Sequence, residues 1–198
     1  MSDILELSPE AQNLLFREAR TANAFTDEPV TDEQIAAIYD LTKYAPTAMN
    51  TQPLRIVLVR QGDPRERLLK HMADGNRDKT ANAPLVAILA ADTGFHDHLP
   101  RTFPHFPGAR DLFGDDAARE QTAKFNATLQ AGYFFLGVRA AGLAAGPMNG
   151  FDAEGIDRDF FAGTNLRSLV VVNLGKPAEN AWFDRLPRLE RDEVVLEA

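Results

Sequence analysis

The segment Pro46-Thr47-Ala48-Met49-Asn50-Thr51-Gln52-Pro53 sets small hydroxyl and amide side chains between two prolines. Such a run offers fixed hydrogen-bond donors and acceptors without charge, suited to a hydroxylated chain and the edge of a heteroaromatic ring. Composition alone favours a plainer reading, a polar connection between two core elements. The four histidines, His71, His96, His98 and His105, include one close pair, His96-x-His98. A metal site needs three or four convergent ligands, and no third ligand stands at a diagnostic spacing, so no metal is expected. Neither a Gly-x-Gly-x-x-Gly run nor a P-loop is present, so a Rossmann nucleotide site is not supported. A Gly-x-Ser-x-Gly elbow is also missing. The chain has no cysteine, which excludes disulfides, thiolate nucleophiles and zinc–thiolate centres.

The elements that must position these residues can be read from caps and periodicity. Ser8-Pro9 marks a helix start, with Ser as cap and Pro at the first helical position. Leu14, Leu15 and Ala19 supply its apolar stripe, which ends near Arg20. Thr31-Asp32-Glu33-Gln34 is a capping box followed by Ile35, Ile38 and Tyr39 on one face. That helix should stop by Ala45, because Pro46 restricts the residue before it. Strands are expected over residues 55–59, 85–89 and 168–174, with a helix starting at Asp63-Pro64-Arg65-Glu66. Residues 93–116 carry several prolines and glycines with Phe95, Phe103, Phe106 and Phe113; such length suggests a covering or binding loop. Residues 117–141 read as one long helix closed by Gly142. Its Ala131, Gly132, Gly137 and Ala140 would let another backbone approach closely. The order implies α+β or α/β around a small sheet. Three strands are few for this length, so a further C-terminal strand is expected.

Composition narrows the partners. The 198 residues, 44% hydrophobic and 25% charged, suit one globular domain over 1–198, without repeats or linkers. A net charge of −8 weighs against nucleic acid and anionic membrane. No apolar run approaches the roughly 20 residues needed to span a bilayer. The start, Met1-Ser2-Asp3-Ile4-Leu5-Glu6, is acidic where a secretory signal would be basic. A cytoplasmic protein acting on a small molecule is expected.

Five elements resemble, in order, those of the nitroreductase family. Residues 46–53 resemble its Pro-Ser-Ser-x-Asn-x-Gln-Pro motif, with Pro46, Thr47, Ala48, Asn50 and Gln52 at the matching places. Arg20, Thr21 and Asn23 in Arg20-Thr21-Ala22-Asn23-Ala24-Phe25 resemble its Arg-Ser-x-Arg-x-Phe element. Asn76 and Lys79 resemble its Asn-x-x-Lys element, and Pro147, Met148, Asn149 and Gly150 its Pro-x-x-Gly-Phe loop. Arg185-Leu186-Pro187-Arg188 resembles its basic C-terminal element, in which either Arg185 or Arg188 takes the phosphate. The resemblance implies an α+β nitroreductase-like fold with a mostly antiparallel sheet flanked by helices, and a homodimer with a long central helix. It also implies bound FMN shared across the dimer interface, with residues 46–53 as one wall, and NADH or NADPH as co-substrate. Guanidinium groups suit the flavin phosphate. A lysine and backbone N–H groups at the pyrimidine edge favour the reduced flavin. The sequence departs from the family pattern at Ala48, where a second serine is frequent, and at Leu54, where tryptophan is common. It also departs at Asn23, where the family has a basic residue, and at Asn149, where an acidic residue or glycine is frequent.

Within the family the chain resembles the malonic semialdehyde reductase branch of pyrimidine degradation. The shared stretches are Ala19-Arg20-Thr21-x-Asn23, Leu99-Pro100, Phe103-Pro104-His105, Gly146-Pro147-Met148-x-Gly150-Phe151-Asp152 and Arg185-Leu186-Pro187-Arg188-Leu189. This implies reduction of the aldehyde to 3-hydroxypropionate. Arg101, Arg110 or His105 would hold the substrate carboxylate, or His105 would donate a proton. A generalist nitro- or quinone reductase, a non-catalytic flavin-binding protein and a flavin-free structural dimer are the alternatives.

Overall fold

The computed structural model describes residues 4–198. The start of the acidic N-terminal stretch, residues 1–3, lies outside the described residues. Helix α1 (Pro9–Gln12) is capped by the Ser8 hydroxyl, which accepts from Ala11 N, and continues as a wider π-type turn over Asn13–Arg17. Of its expected apolar stripe, Leu14 is exposed while Leu15 and Ala19 are half-buried, and Gln12 is the buried residue of α1. Helix α2 (Asp32–Thr42) starts on the expected reciprocal box, with Thr31 and Gln34 each satisfying the other's backbone N–H. Strand β1 (Leu54–Val59), helix α3 (Asp63–Leu69), helix α4 (Asp74–Ala81) and strand β2 (Leu85–Asp92) follow.

Residues 93–116 are not an open loop. They fold into a 3-10 turn (Phe95–His98), the short helix α5 (Leu99–Thr102) and a second 3-10 stretch (Pro107–Phe113). Phe95 is fully buried and packs edge-on against Phe113, 4.9 Å between ring centroids, so the segment is fixed to the core. Helix α6 (Asp116–Ala140) is the long one; Gly142 beyond it takes φ +73°. Strand β3 (Ala144–Met148), helix α7 (Ala153–Phe160), strand β4 (Leu166–Gly175) and the short helix α8 (Arg191–Val194) complete the chain.

The sheet order is β1-β2-β4-β3, antiparallel throughout. The strand missing from the sequence reading is β3, and it is internal rather than C-terminal. Its residues Ala-Ala-Gly-Pro-Met contain no β-branched side chain, and Pro147 is tolerated because β3 is an edge. Strand β2 is buried on both faces and sorts its side chains by alternation. Leu85, Ala87 and Leu89 join Ile38, Phe134 and Val138 of α2 and α6. Val86, Ile88 and Ala90 join Leu68 and Ile156 of α3 and α7. Each such aliphatic side chain contributes about 1.5–3 kcal/mol on burial. The small-residue face of α6 is divided in its use. A Cβ on Gly137 would sit 3.2 Å from the Ile38 carbonyl of α2, so the close approach there is within the chain; Gly132 faces open space. Among the described residues no helix is long and apolar enough to cross a membrane.

Candidate functional site

Residues 19–26 form no strand, yet they are held by backbone bonds on both sides. Ala22 N donates to Ala145 O of β3, Asn23 N to Ala181 O and Thr26 N to Lys176 O, at 2.9–3.0 Å. The closeness to β3 depends on Gly146, where a Cβ would lie 2.5 Å from Ala22 O. This docking brings Arg20 and Thr21 to a cavity of about 260 Å³ that Arg139, Arg188, Phe135, Ala145 and Pro147 also line. Three guanidinium groups share this cavity, and among the described residues no carboxylate lines it. Like charges gather at a surface cavity when an anion completes them. Burial pushes the Arg139 guanidinium below its ordinary range; Glu18 opposes that fall and Arg185 adds to it. Arg139 Nε donates to Leu14 O at 2.6 Å, which fixes the side chain. Sequence reasoning missed Arg139, since one arginine in the last turn of a helix reads as a solvated charge.

Arg185 and Arg188 are separated by their partners. Arg185 donates to Arg17 O, and to Ala19 O at 3.2 Å, tying the tail to the N-terminal helix. Arg188 lines the cavity. Arg20 Nη1 donates to Phe183 O at 3.2 Å, and its guanidinium lies 5.5 Å from the Trp182 ring centroid.

A second cavity of about 590 Å³ adjoins the first, sharing Phe135 and Pro147. Thr128, Ala131 and Gly132 of α6 line it, with Met148, Asn149, Leu169 and Val170. The two together make a groove, cationic at one end and mainly apolar beyond. Gly150 follows, and its carbonyl accepts from Asn76 Nδ2 and from Ala73 N, both at 3.0 Å. Lys79, on the same helix as Asn76, reaches Asn23 Oδ1 at 3.4 Å. Asn23 stands where a basic residue was expected, and here it accepts from a lysine instead.

Residues 46–53 are placed elsewhere. They lead into β1, at the opposite edge of the sheet from β3, about 14 Å away at ordinary strand spacing. Met49, Asn50 and Gln52 all have positive φ, at 52°, 53° and 44°. Left-handed backbone in non-glycine residues is costly and persists when surroundings hold it. Two amides buried on α6 supply the hold: Asn126 Oδ1 accepts from Ala48 N at 2.7 Å, and Gln130 Oε1 from Leu54 N at 2.9 Å. Thr47 Oγ1 accepts from Gln52 N, and Asn50 Oδ1 from Gln52 Nε2. Asn50 Nδ2 donates to Thr102 O of α5 at 2.7 Å. Pro46, Ala48 and Asn50 remain exposed. Within one chain, therefore, Pro46, Thr47, Ala48, Asn50 and Gln52 do not join the residues of the groove.

The three candidates for the substrate charge also differ. Arg110 Nε is paired with Asp97 at 2.9 Å, and the His105 ring packs against Phe103, tilted by 56° with 3.9 Å between centroids. Arg101 lines a cavity of about 490 Å³ beside Gln52, Arg55 and Lys43.

The residues of the groove fit FMN by the chemistry of their donors. Guanidiniums and a threonine hydroxyl suit a phosphate, and the apolar stretch past Phe135 and Pro147 suits a planar ring.

Comparison with known proteins gives the family and the fold. The model of the nitroreductase family matches residues 16–176. A Streptomyces griseus protein named as an NADH dehydrogenase/NAD(P)H nitroreductase is 64% identical over 192 residues, 96% of this chain and 97% of that one. A Caulobacter relative with the same name is 42% identical, covering 96% and 97%. Among solved structures, a Bacillus subtilis protein described as a nitroreductase superposes with TM-score 0.85 at 23% identity, covering 96% and 99%. One from Exiguobacterium sibiricum, described as a nitroreductase in complex with FMN, gives 0.83 at 16%, covering 98% and 99%.

Proposed function

The chain belongs to the nitroreductase family, and on that premise we propose that it is an FMN-dependent NAD(P)H oxidoreductase, a homodimer that reduces malonic semialdehyde to 3-hydroxypropionate. The observation that carries the cofactor is the cavity lined by Arg20, Arg139, Arg188 and Thr21, with no carboxylate among its described lining residues. These residues hold the phosphate. Lys79 and Asn76, with the backbone of Pro147, Met148, Asn149 and Gly150, hold the ring. Lys79 places positive charge at the pyrimidine edge, where negative charge gathers on reduction. When bound, FMN would supply the redox chemistry, hydride transfer between NAD(P)H and the substrate. Co-substrate and substrate use the same place in turn.

The homodimer completes the site. Residues 46–53 of one copy, with Asn50 and Gln52 facing outward beside α5, form the second wall over the groove of the other. Exposed apolar side chains support this: Phe125, Leu129 and Tyr133 along α6, Leu14 and Phe16 near the N-terminus, and Leu186 and Leu189 in the tail. Of the three substrate-loop candidates, Arg101 is the one we assign to the substrate carboxylate, since Arg110 is engaged by Asp97.

A generalist nitro- or quinone reductase is the second reading, favoured by the names its relatives carry. The absorbance spectrum of the purified protein tests the cofactor: flavin bands that bleach with anaerobic NADH or NADPH are expected. A colourless protein that FMN does not reconstitute would overturn the oxidoreductase reading; bound FMN that neither nucleotide bleaches would make it a flavin-binding protein. For the substrate, kcat/KM should be higher with malonic semialdehyde than with nitrofurazone, and the reverse order sinks that assignment. A monomer by sedimentation at micromolar concentration would sink the dimer.

A further inference from the structure

Arg65 lies outside both cavities and touches none of the residues assigned to the cofactor, yet it is the largest fully buried side chain, 1% exposed. Among the described residues no carboxylate pairs with it. Its partners are main-chain carbonyls. Nη1 donates to Thr80 O at 2.7 Å and Ala83 O at 2.8 Å, with Ala81 O at 3.5 Å, and Nη2 donates to Val59 O at 2.8 Å. Thr80 and Ala81 are the last residues of α4, whose final carbonyls have no partner inside the helix. A guanidinium there satisfies them and sits favourably at the negative end of the helix dipole. Burial pushes its pKa down to about 10, so it stays charged at neutral pH.

Helix α4 needs this support. It has eight residues, too few to persist alone, and Ala73 gives it no side-chain cap. Its first turn is tied to Gly150 through Ala73 N and Asn76 Nδ2. Its last turn is tied to the end of β1 through Arg65, with Gln61 Nε2 adding weaker bonds of 3.2 Å to Ala81 O and Ala83 O. Two ties at opposite ends fix the rotation of a short helix about its axis. That rotation decides where Lys79 points. Thr80, next along the chain, is gripped by Arg65 at its carbonyl, while its hydroxyl lies 3.7 Å from Met148 Sδ.

We propose that Arg65 is a positioning residue for the cofactor site, its buried fork setting the last turn of α4 so that Lys79 is held at Asn23 and beside the 147–150 loop. This rests on the reading of Lys79 as a flavin contact. A methionine would fill the space but take the guanidinium donors from the carbonyls of Thr80 and Val59 and leave Ala83 O only the weaker bond from Gln61, and a lysine would keep the charge without the fork.

The test is a double-mutant cycle on the full-length protein, with the Kd for FMN read by fluorescence quenching on the stripped protein and melting followed in parallel. Lys79→Met is expected to raise Kd about 30-fold and Arg65→Met about tenfold. With Lys79→Met already present, Arg65→Met should add less than about twofold, because the group it positions is gone. Arg65→Lys should fall between wild type and Arg65→Met, and it carries the cycle alone if Arg65→Met does not fold. Losses that add fully would overturn the positioning role and leave Arg65 a part of the general fold. An unchanged Kd in Lys79→Met would overturn the Lys79 reading and this proposal with it.

Discussion

The two edges of the sheet prepare for a ligand in opposite ways. At the β3 edge, Arg20, Arg139 and Arg188 bring positive charge together around a cavity that no carboxylate of the described residues lines, with Glu18 acting on Arg139 from outside it. At the β1 edge, residues 46–53 carry no charge, and their hydrogen bonds are largely made within the chain, to Asn126, Gln130 and Thr102. One edge holds unspent electrostatic attraction; the other holds a fixed shape in a strained backbone. On the proposed reading the first recognises an anion, and the second contributes geometry. Neither edge alone encloses anything.

Substitutions should affect the two edges differently. Gly146→Val attacks the docking of residues 19–26 on β3, since its Cβ meets Ala22 O at 2.5 Å. A loss of about 3 kcal/mol in unfolding free energy is expected, together with loss of FMN binding. Wild-type melting of this variant would mean that the segment docks without needing the glycine. Arg139→Ala should cost about 2 kcal/mol of FMN binding, close to 30-fold in Kd, while the stripped protein melts within a few degrees of wild type. Equal binding of FMN and riboflavin by the wild-type protein would break the assignment of that end to phosphate. Asn126→Leu takes the acceptor from the part-buried Ala48 N–H, and chemical denaturation should show a loss of about 1 kcal/mol. Unlike Arg139→Ala, it should act on stability first and on FMN affinity only through the second wall. The smallest effect is expected from Met49→Gly, which removes left-handed strain at φ 52° but adds chain entropy on unfolding. A net change within about 0.5 kcal/mol is the expectation; a large loss would show that the Met49 side chain matters more than its backbone.

The parts of this design that were legible are those written in local pattern. The Thr31–Gln34 box, the apolar runs of β2 and β4 and the long helix all appear where cap and periodicity place them. Strand β3 was hidden because pairing with Val171, Val172 and Leu174, not its own propensity, makes it a strand. The helical turns of 95–113 were hidden by prolines and glycines that usually interrupt such structure, and Phe95 was the signal that the segment is buried. Asn126 and Gln130 could be seen only as polar residues on a helix. Their partners lie 78 and 76 residues away, beyond any local rule. Arg65 was read as part of a helix start, and its burial depends on carbonyls from three later positions and one earlier. The positive φ at three residues without glycine leaves only a weak trace in the sequence, at Asn50, a residue type that tolerates left-handed backbone; Met49 and Gln52 give no such sign.

The place of residues 19–26 has a consequence for how the chain is made. Their backbone partners, Ala145, Lys176 and Ala181, come more than 120 residues later in the chain. The cationic end of the groove cannot form until those partners have been made. Contacts of such long sequence separation are slow to form, so this end of the groove belongs to the late-forming part of the fold.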